Sequence, residues 1–211
     1  THQISVSPNF SAMQKYQGWA KQIEAVYSID QINDVMRRAF HALKNGSPGP
    51  VVVELTEDIC NQPINENTEA YKPPHFSKMC PAREEIKNCA KKLLESKKPL
   101  IWSGAGVLAS EATSELITLA EKISAPVFTT MPGKSSFDER HSLFLGSGCG
   151  TTTKPAYNWL AESDLVLALG SSLTRTPYGQ AIPKGKIIIQ NTINTKDINK
   201  DESIDIGLIG D

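Results

Sequence analysis

The sequence predicts an α/β protein built on a doubly wound parallel sheet flanked by helices, and three observations carry that expectation. From Ala82 onward, helix-period and strand-like segments alternate. Two of the strand-like segments, 164–169 and 186–190, are almost continuously apolar, as strands buried on both faces must be. A glycine turn, Gly104-Ala105-Gly106, stands between a strand and a helix pattern. The composition agrees: 211 residues, 39% hydrophobic, with 22 Lys plus Arg against 23 Asp plus Glu for a net charge of −1. A charge so near zero argues against a nucleic-acid partner, which needs a basic excess on one face. No run reaches about 18 consecutive apolar residues, so no membrane-spanning helix is expected. The first twenty residues are polar and carry no signal segment. The chain starts at Thr1 rather than Met and reads as a piece of something longer.

Taken in order, the first expected element is a helix over 30–45. Ile32, Val35, Met36, Ala39, Phe40 and Leu43 fall at three-four spacing on one face. Asp30 is the expected N-cap, and Lys44 with Gly46 closes the end. Ser47-Pro48-Gly49-Pro50 forces a turn before a strand over 51–55. Residues 1–61 thus read as the tail of a domain: irregular start, helix, turn, strand. Residues 62–81 are the expected linker, holding four of the 13 prolines (Pro63, Pro73, Pro74, Pro81) and no periodicity. Residues 82–211 are the α/β domain. Its first helix is marked by Ile86, Cys89, Ala90, Leu93 and Leu94, followed by a strand over 99–102. Ser110 is the expected cap of a second helix buried through Ala112, Leu116, Leu119, Ala120 and Ile123. A strand over 126–130 follows, then a helix starting near Pro155, and strands over 164–169, 186–190 and 206–209. Right-handed crossovers place every strand-to-helix loop at one sheet edge.

Cys60, Cys80, Cys89 and Cys149 are dispersed, and His2, His41, His75 and His141 make no ligand spacing. That pattern predicts a reducing, cytoplasmic setting, no zinc site and no metal ligands. Gly146-Ser147-Gly148-Cys149-Gly150 reads as a flexible loop, and Cys149 has no neighbouring base that would make it a nucleophile. No acid pair or triad stands out, so no catalytic residue is assigned. Residues 104–109 match G-x-G-x-x-G/A formally. The next strand, however, ends in Thr129-Thr130, where a ribose-binding acid would stand. Gly104, Gly106, Thr130, Gly170 and Arg175 are the candidate cofactor-binding residues, brought to one edge from three loops. Arg175, the sole cation of its loop, is the expected charged contact. A tight turn without a ligand remains the other reading of these glycines.

The order of landmarks carries more. Arg37-Arg38-Ala39-Phe40, then Gly46-Ser47-Pro48-Gly49-Pro50-Val51, closely resembles the R-A-F…G-R-P-G-P-V segment that ends the pyrimidine-binding domain of thiamine diphosphate-dependent enzymes. Pro99-Leu100-Ile101-Trp102-Ser103-Gly104 resembles the opening strand and glycine turn of that family's Rossmann-like central domain. The segments at 125–134, 141–146, 163–170 and 206–211 follow collinearly. The acetolactate synthase and benzoylformate decarboxylase subgroup is the most similar. The resemblance implies a parent enzyme, a transferase or lyase, that makes or breaks a carbon–carbon bond beside the carbonyl of a 2-oxo acid.

It further implies thiamine diphosphate and Mg in that parent. The family's activating glutamate would lie upstream of Thr1, and its G-D-G metal and diphosphate motif downstream of Asp211. The isolated chain is therefore expected to be inactive and to bind neither. The flanking domains become its partners, in a dimer or tetramer. Flavin-binding members carry G-A-R-F-D-D-R where this chain has Ser172, Thr174 and Thr176 at the first Arg, first Asp and last Arg. Their I-D-I-D-P is replaced by residues 191–195 without either acid, and the Arg of G-R-P-G-P is Ser47. These losses weaken FAD or ADP as a ligand. A stand-alone FAD, NAD or ADP module, or a vestigial dimerisation scaffold, is the alternative.

Overall fold

The computed structural model describes residues 12–64, 72, 74–148 and 152–211. The chain divides into two compact units, 1–76 and 77–211, the boundary falling within the expected linker.

In the first unit, α1 (Ala12–Lys15) precedes β1 (Gln22–Val26), a 3₁₀ turn (Ile29–Gln31), α2 (Ile32–Lys44), β2 (Val51–Leu55) and α3 (Glu57–Cys60). Strands β1 and β2 pair in parallel, with Glu24 opposite Val53. The expected irregular start is corrected here, because Gln22–Val26 is short and polar in alternate positions and becomes a strand through its partner. Val26, Val35 and Ile59 form the core under Val53 and Leu55. Asp30 does not cap α2. It lies inside the 3₁₀ turn, and Gln31 precedes the helix without a side-chain cap. The buried stripe of α2 is Val35, Ala39 and Ala42, leaving Phe40 and Leu43 exposed. At its other end, Lys21 Nζ donates to the carbonyls of Ala42 and Asn45, supplying a cation where the helix leaves acceptors unpaired.

The second unit runs α4 (Arg83–Glu95), β3 (Pro99–Ser103), α5 (Ala105–Ala109), α6 (Thr113–Ile123), β4 (Val127–Thr130), β5 (Phe144–Gly148), α7 (Lys154–Glu162), β6 (Leu165–Leu169), β7 (Ile187–Thr192), a 3₁₀ turn (Thr195–Asp197) and β8 (Ile206–Ile209). The six strands pair in parallel in the order β5-β4-β3-β6-β7-β8. The first strand of the unit is therefore central, and the order reverses between β3 and β6. Both faces are covered, as the apolar strands require. Ile101, Leu165 and Leu167 pack into one core with Leu116 and Ala120, while Leu100, Val166 and Ala168 pack into the other with Ala156 and Leu160.

Three local expectations change. Ser110 closes the short helix α5 instead of opening α6, which Ala112 precedes. Helix α4 buries Cys89 and Leu93, whereas Leu94 is 79% exposed. Residues 146–148 belong to β5 rather than to a flexible loop; Cys149 and Gly150 lie outside the described residues. The glycine at 148 has a packing reason, since a Cβ there would stand 2.0 Å from Cζ of the buried Phe128. Among the described residues, no helix is long and apolar enough to cross a membrane.

Candidate functional site

The loops leaving β3, β4 and β6 meet where the strand order reverses, the place at which open α/β sheets present a crevice. Gly104 and Gly106 follow β3, and Gly170 follows β6. A Cβ on Gly104 would lie 2.3 Å from the Gly170 carbonyl oxygen, and one on Gly106 would lie 2.5 Å from the Gly170 Cα. Gly170 itself takes φ +59, in the left-handed region that glycine tolerates. Gly133 joins them, because a Cβ there would stand 2.7 Å from the Ser103 carbonyl oxygen. Thr130 enters the cluster through that glycine, its Oγ1 accepting the Gly133 N–H at 3.0 Å. Four of the five expected residues are thus brought together, directly or through one neighbour.

What the junction does chemically follows from where its donors point. Gly104 N–H donates to Leu169 O at 2.8 Å, and Gly106 N–H donates to Gly170 O at 2.9 Å. Gly170 N–H donates to Asn191 O at 3.0 Å. The amides that would cradle a phosphate are therefore bonded to carbonyls of neighbouring loops and strands. These glycines permit backbone to pack on backbone.

Arg175 stands apart from the junction. Its Nε and Nη2 donate to Glu202 Oε1 and Oε2 at 2.8 and 3.0 Å, and its backbone N–H donates to Asp201 Oδ2 at 2.9 Å. The guanidinium side chain is 66% exposed and the Glu202 side chain only 11%. Hydrogen bonding to Glu202 and the charge of that carboxylate raise the Arg175 pKa, so the cation is already neutralised by this chain's own anion. Lys200 Nζ adds a bond to Thr174 Oγ1 at 3.1 Å, fastening the same loop from the same side.

Sequence reasoning passed over Gln190, which is fully buried on β7. Its Nε2 donates to Ser171 O at 2.9 Å and to Asp197 O at 3.3 Å, tying the loop after β6 to the sheet. The signal was present as a lone carboxamide ending the apolar run Ile187-Ile188-Ile189. The residues standing at the flavin-family positions bond within this chain: Ser172 Oγ with Thr174 Oγ1, and Thr192 Oγ1 and Asn194 Nδ2, where the two acids would stand, both donate to the Asp197 carboxylate. Cys60 and Cys80 are exposed and Cys89 is buried, all three free, with burial pushing the Cys89 thiol pKa up. Among the described residues, no group of three or more His, Cys, Asp or Glu gathers in a way that could hold a metal ion.

A parallel, doubly covered six-stranded sheet with glycine turns at its switch point defines a Rossmann-like α/β domain. Comparison with known proteins makes this specific. Residues 86–211 match the central domain of thiamine pyrophosphate enzymes, and the chain belongs to that family. A probable acetolactate synthase large subunit of Methanococcus aeolicus is 32% identical over 190 residues, covering 86% of this chain and 31% of the relative. One from Methanocaldococcus jannaschii is 34% identical over 194 residues, covering 86% of this chain and 32% of the relative. The chain thus spans about a third of the length of these curated relatives. The crystal structure of benzoylformate decarboxylase from Polynucleobacter necessarius superposes with a TM-score of 0.80 at 24% identity, over 96% of this chain and 38% of that one, and shares the fold.

Proposed function

We propose that this chain is the central scaffold region of a thiamine diphosphate-dependent enzyme that makes or breaks a carbon–carbon bond beside the carbonyl of a 2-oxo acid. The observation that carries this reading is the family match over 86–211, supported by acetolactate synthase relatives collinear with most of the chain. When bound elsewhere in the parent, the cofactor supplies the electron sink. The part assigned to this chain is to hold a rigid doubly wound sheet between the domains that carry cofactor and metal. Residues 1–61 then end a pyrimidine-binding domain, 62–81 link, and 82–211 form the central domain. Four of the five loop residues become a structural junction, in which Gly104, Gly106 and Gly170 pack backbone on backbone and Thr130 secures Gly133; Arg175, apart from it, secures its loop to Glu202. Dimers or tetramers of the parent are part of the same proposal.

The test is a paired assay. The longer reading frame, supplied with thiamine diphosphate and Mg, should consume a 2-oxo acid such as pyruvate, yielding either a carboligation product or CO₂ with an aldehyde. The 211-residue chain alone should show neither turnover nor magnesium-dependent heat of cofactor binding. Tight binding by the short chain would overturn the domain assignment. A full-length protein that binds the cofactor yet leaves every 2-oxo acid untouched would overturn the reaction class.

A further inference from the structure

Two side-chain atoms of the second unit are buried without a hydrogen-bond partner among the described residues: Nε1 of Trp102 and Oε1 of Gln190. Their residues are 7% and 0% exposed, so bulk water does not serve them. The sheet register relates them. Trp102 on β3 lies opposite Ala168 on β6, and Ala168 lies opposite Gln190 on β7. Residues in one register row of a parallel sheet project from the same face, and two strand spacings separate these backbones by about 9.5 Å. The residue between them in that row is Ala168, in a strand whose other residues are Leu165, Val166, Leu167 and Leu169. Leu173, held at φ +48 in the loop after β6, packs into the same cluster as Trp102 and Ala168.

The carboxamide orientation is determined by chemistry. Its two neighbours, Ser171 O and Asp197 O, are both acceptors, so the NH₂ must face them and the oxygen must face away. The row therefore holds an acceptor lacking a donor and a donor lacking an acceptor, on residues either side of Ala168. We propose that one internal water molecule sits over Ala168, accepting the Trp102 Nε1–H and donating to Gln190 Oε1. A water satisfies both groups at once and meets the two-partner minimum for burial. Through Gln190 Nε2 it extends a connection from β3 across β6 and β7 to the loop after β6. The site is independent of the enzymatic reading above.

NMR on the 211-residue chain tests it. Substituting Trp102→Phe identifies the Trp102 indole proton among those of Trp19, Trp102 and Trp159. That proton should show a cross-peak with water whose sign is that of a bound internal water rather than of fast-exchanging surface hydration. It should also exchange with bulk water at least roughly tenfold more slowly than the indole of the exposed Trp19. In Ala168→Ser the introduced hydroxyl should displace the water, removing the cross-peak while the indole stays protected. If no variant folds, the wild-type cross-peak alone decides. Absence of a long-lived water contact in wild type, or a crystal structure with Trp102 Nε1 bonded directly to Gln190 Oε1, overturns the proposal.

Discussion

Gly106 donates its amide proton to the carbonyl oxygen of Gly170 at 2.9 Å, joining the loops on either side of the point where the strand order reverses. Each residue occupies the space where the other's Cβ would be.

Gly170→Ala tests this junction most directly. Alanine at φ +59 carries a left-handed penalty of about 1–2 kcal/mol, and its Cβ would meet the Val107 nitrogen at 2.5 Å. The two effects together should cost about 2–4 kcal/mol, read as a lower urea midpoint with an unchanged slope. A midpoint within error of wild type would mean that the loops are not in contact.

The pair formed by Arg175 and Glu202 should behave as a clamp on the loop between β6 and β7. Arg175→Ala and Glu202→Gln are each expected to hasten amide exchange and proteolytic cutting within 171–185, with little change in the global midpoint. The double variant should be no worse than either single one. If the two losses add, the residues act through different partners.

Asp164 links stability to acid. Burial raises its pKa, but hydrogen bonds from the Ser96 hydroxyl and the N–H groups of Lys97 and Lys98 outweigh that and hold the carboxyl below its ordinary value of 3.8. A depressed folded-state pKa gives stability that is present above the unfolded value and lost as pH falls through the folded one. Thermal unfolding temperatures should therefore drop as pH falls below about 4, and Asp164→Asn should flatten that acid limb. An identical acid limb in the variant would assign the effect to other carboxylates.

Gly148→Ala should distort the β5 edge, because its Cβ would reach within 2.0 Å of the Phe128 ring, which stacks edge-on with Trp102 at a centroid distance of 4.7 Å. Overpacking of this kind costs about 1–3 kcal/mol. Near-ultraviolet circular dichroism, sensitive to the Trp102 environment, should change along with the melting temperature. A variant with wild-type dichroism and melting would show that Phe128 has room to move.

The elements legible in the sequence were those whose residues state their own burial. Leu165–Leu169 is apolar on both faces and reads as an interior strand before any partner is known. Phe144–Gly148 hid its identity behind two glycines, of which Gly146 makes room for Thr153 and Gly148 for Phe128, and Gln22–Val26 is a strand because Val51–Leu55 lies beside it. At the loops, crossover geometry sufficed to bring Gly104, Gly106 and Gly170 to one edge. It could not reveal that their amides donate to the carbonyls of Leu169, Gly170 and Asn191, since the choice of acceptor is a tertiary matter. Nor could it pair Arg175 with Glu202, which follows only after β7 and a 3₁₀ turn have turned the chain back. The departures at Ser172, Thr174, Thr192 and Asn194 were readable as lost charges. Their replacement bonds were not.

The loop after β6 is fastened in two ways that answer to different surroundings. Its root at Gly170 is held by peptide groups and close contact, with nothing to titrate and no ion pair to screen. Farther along, it depends on an exposed guanidinium meeting a carboxylate, an attraction that dissolved ions weaken over about 10 Å at 0.1 M. Raising ionic strength should therefore loosen the segment around Arg175 while Gly170 stays put, making the loop a strap whose middle responds to salt and whose root does not.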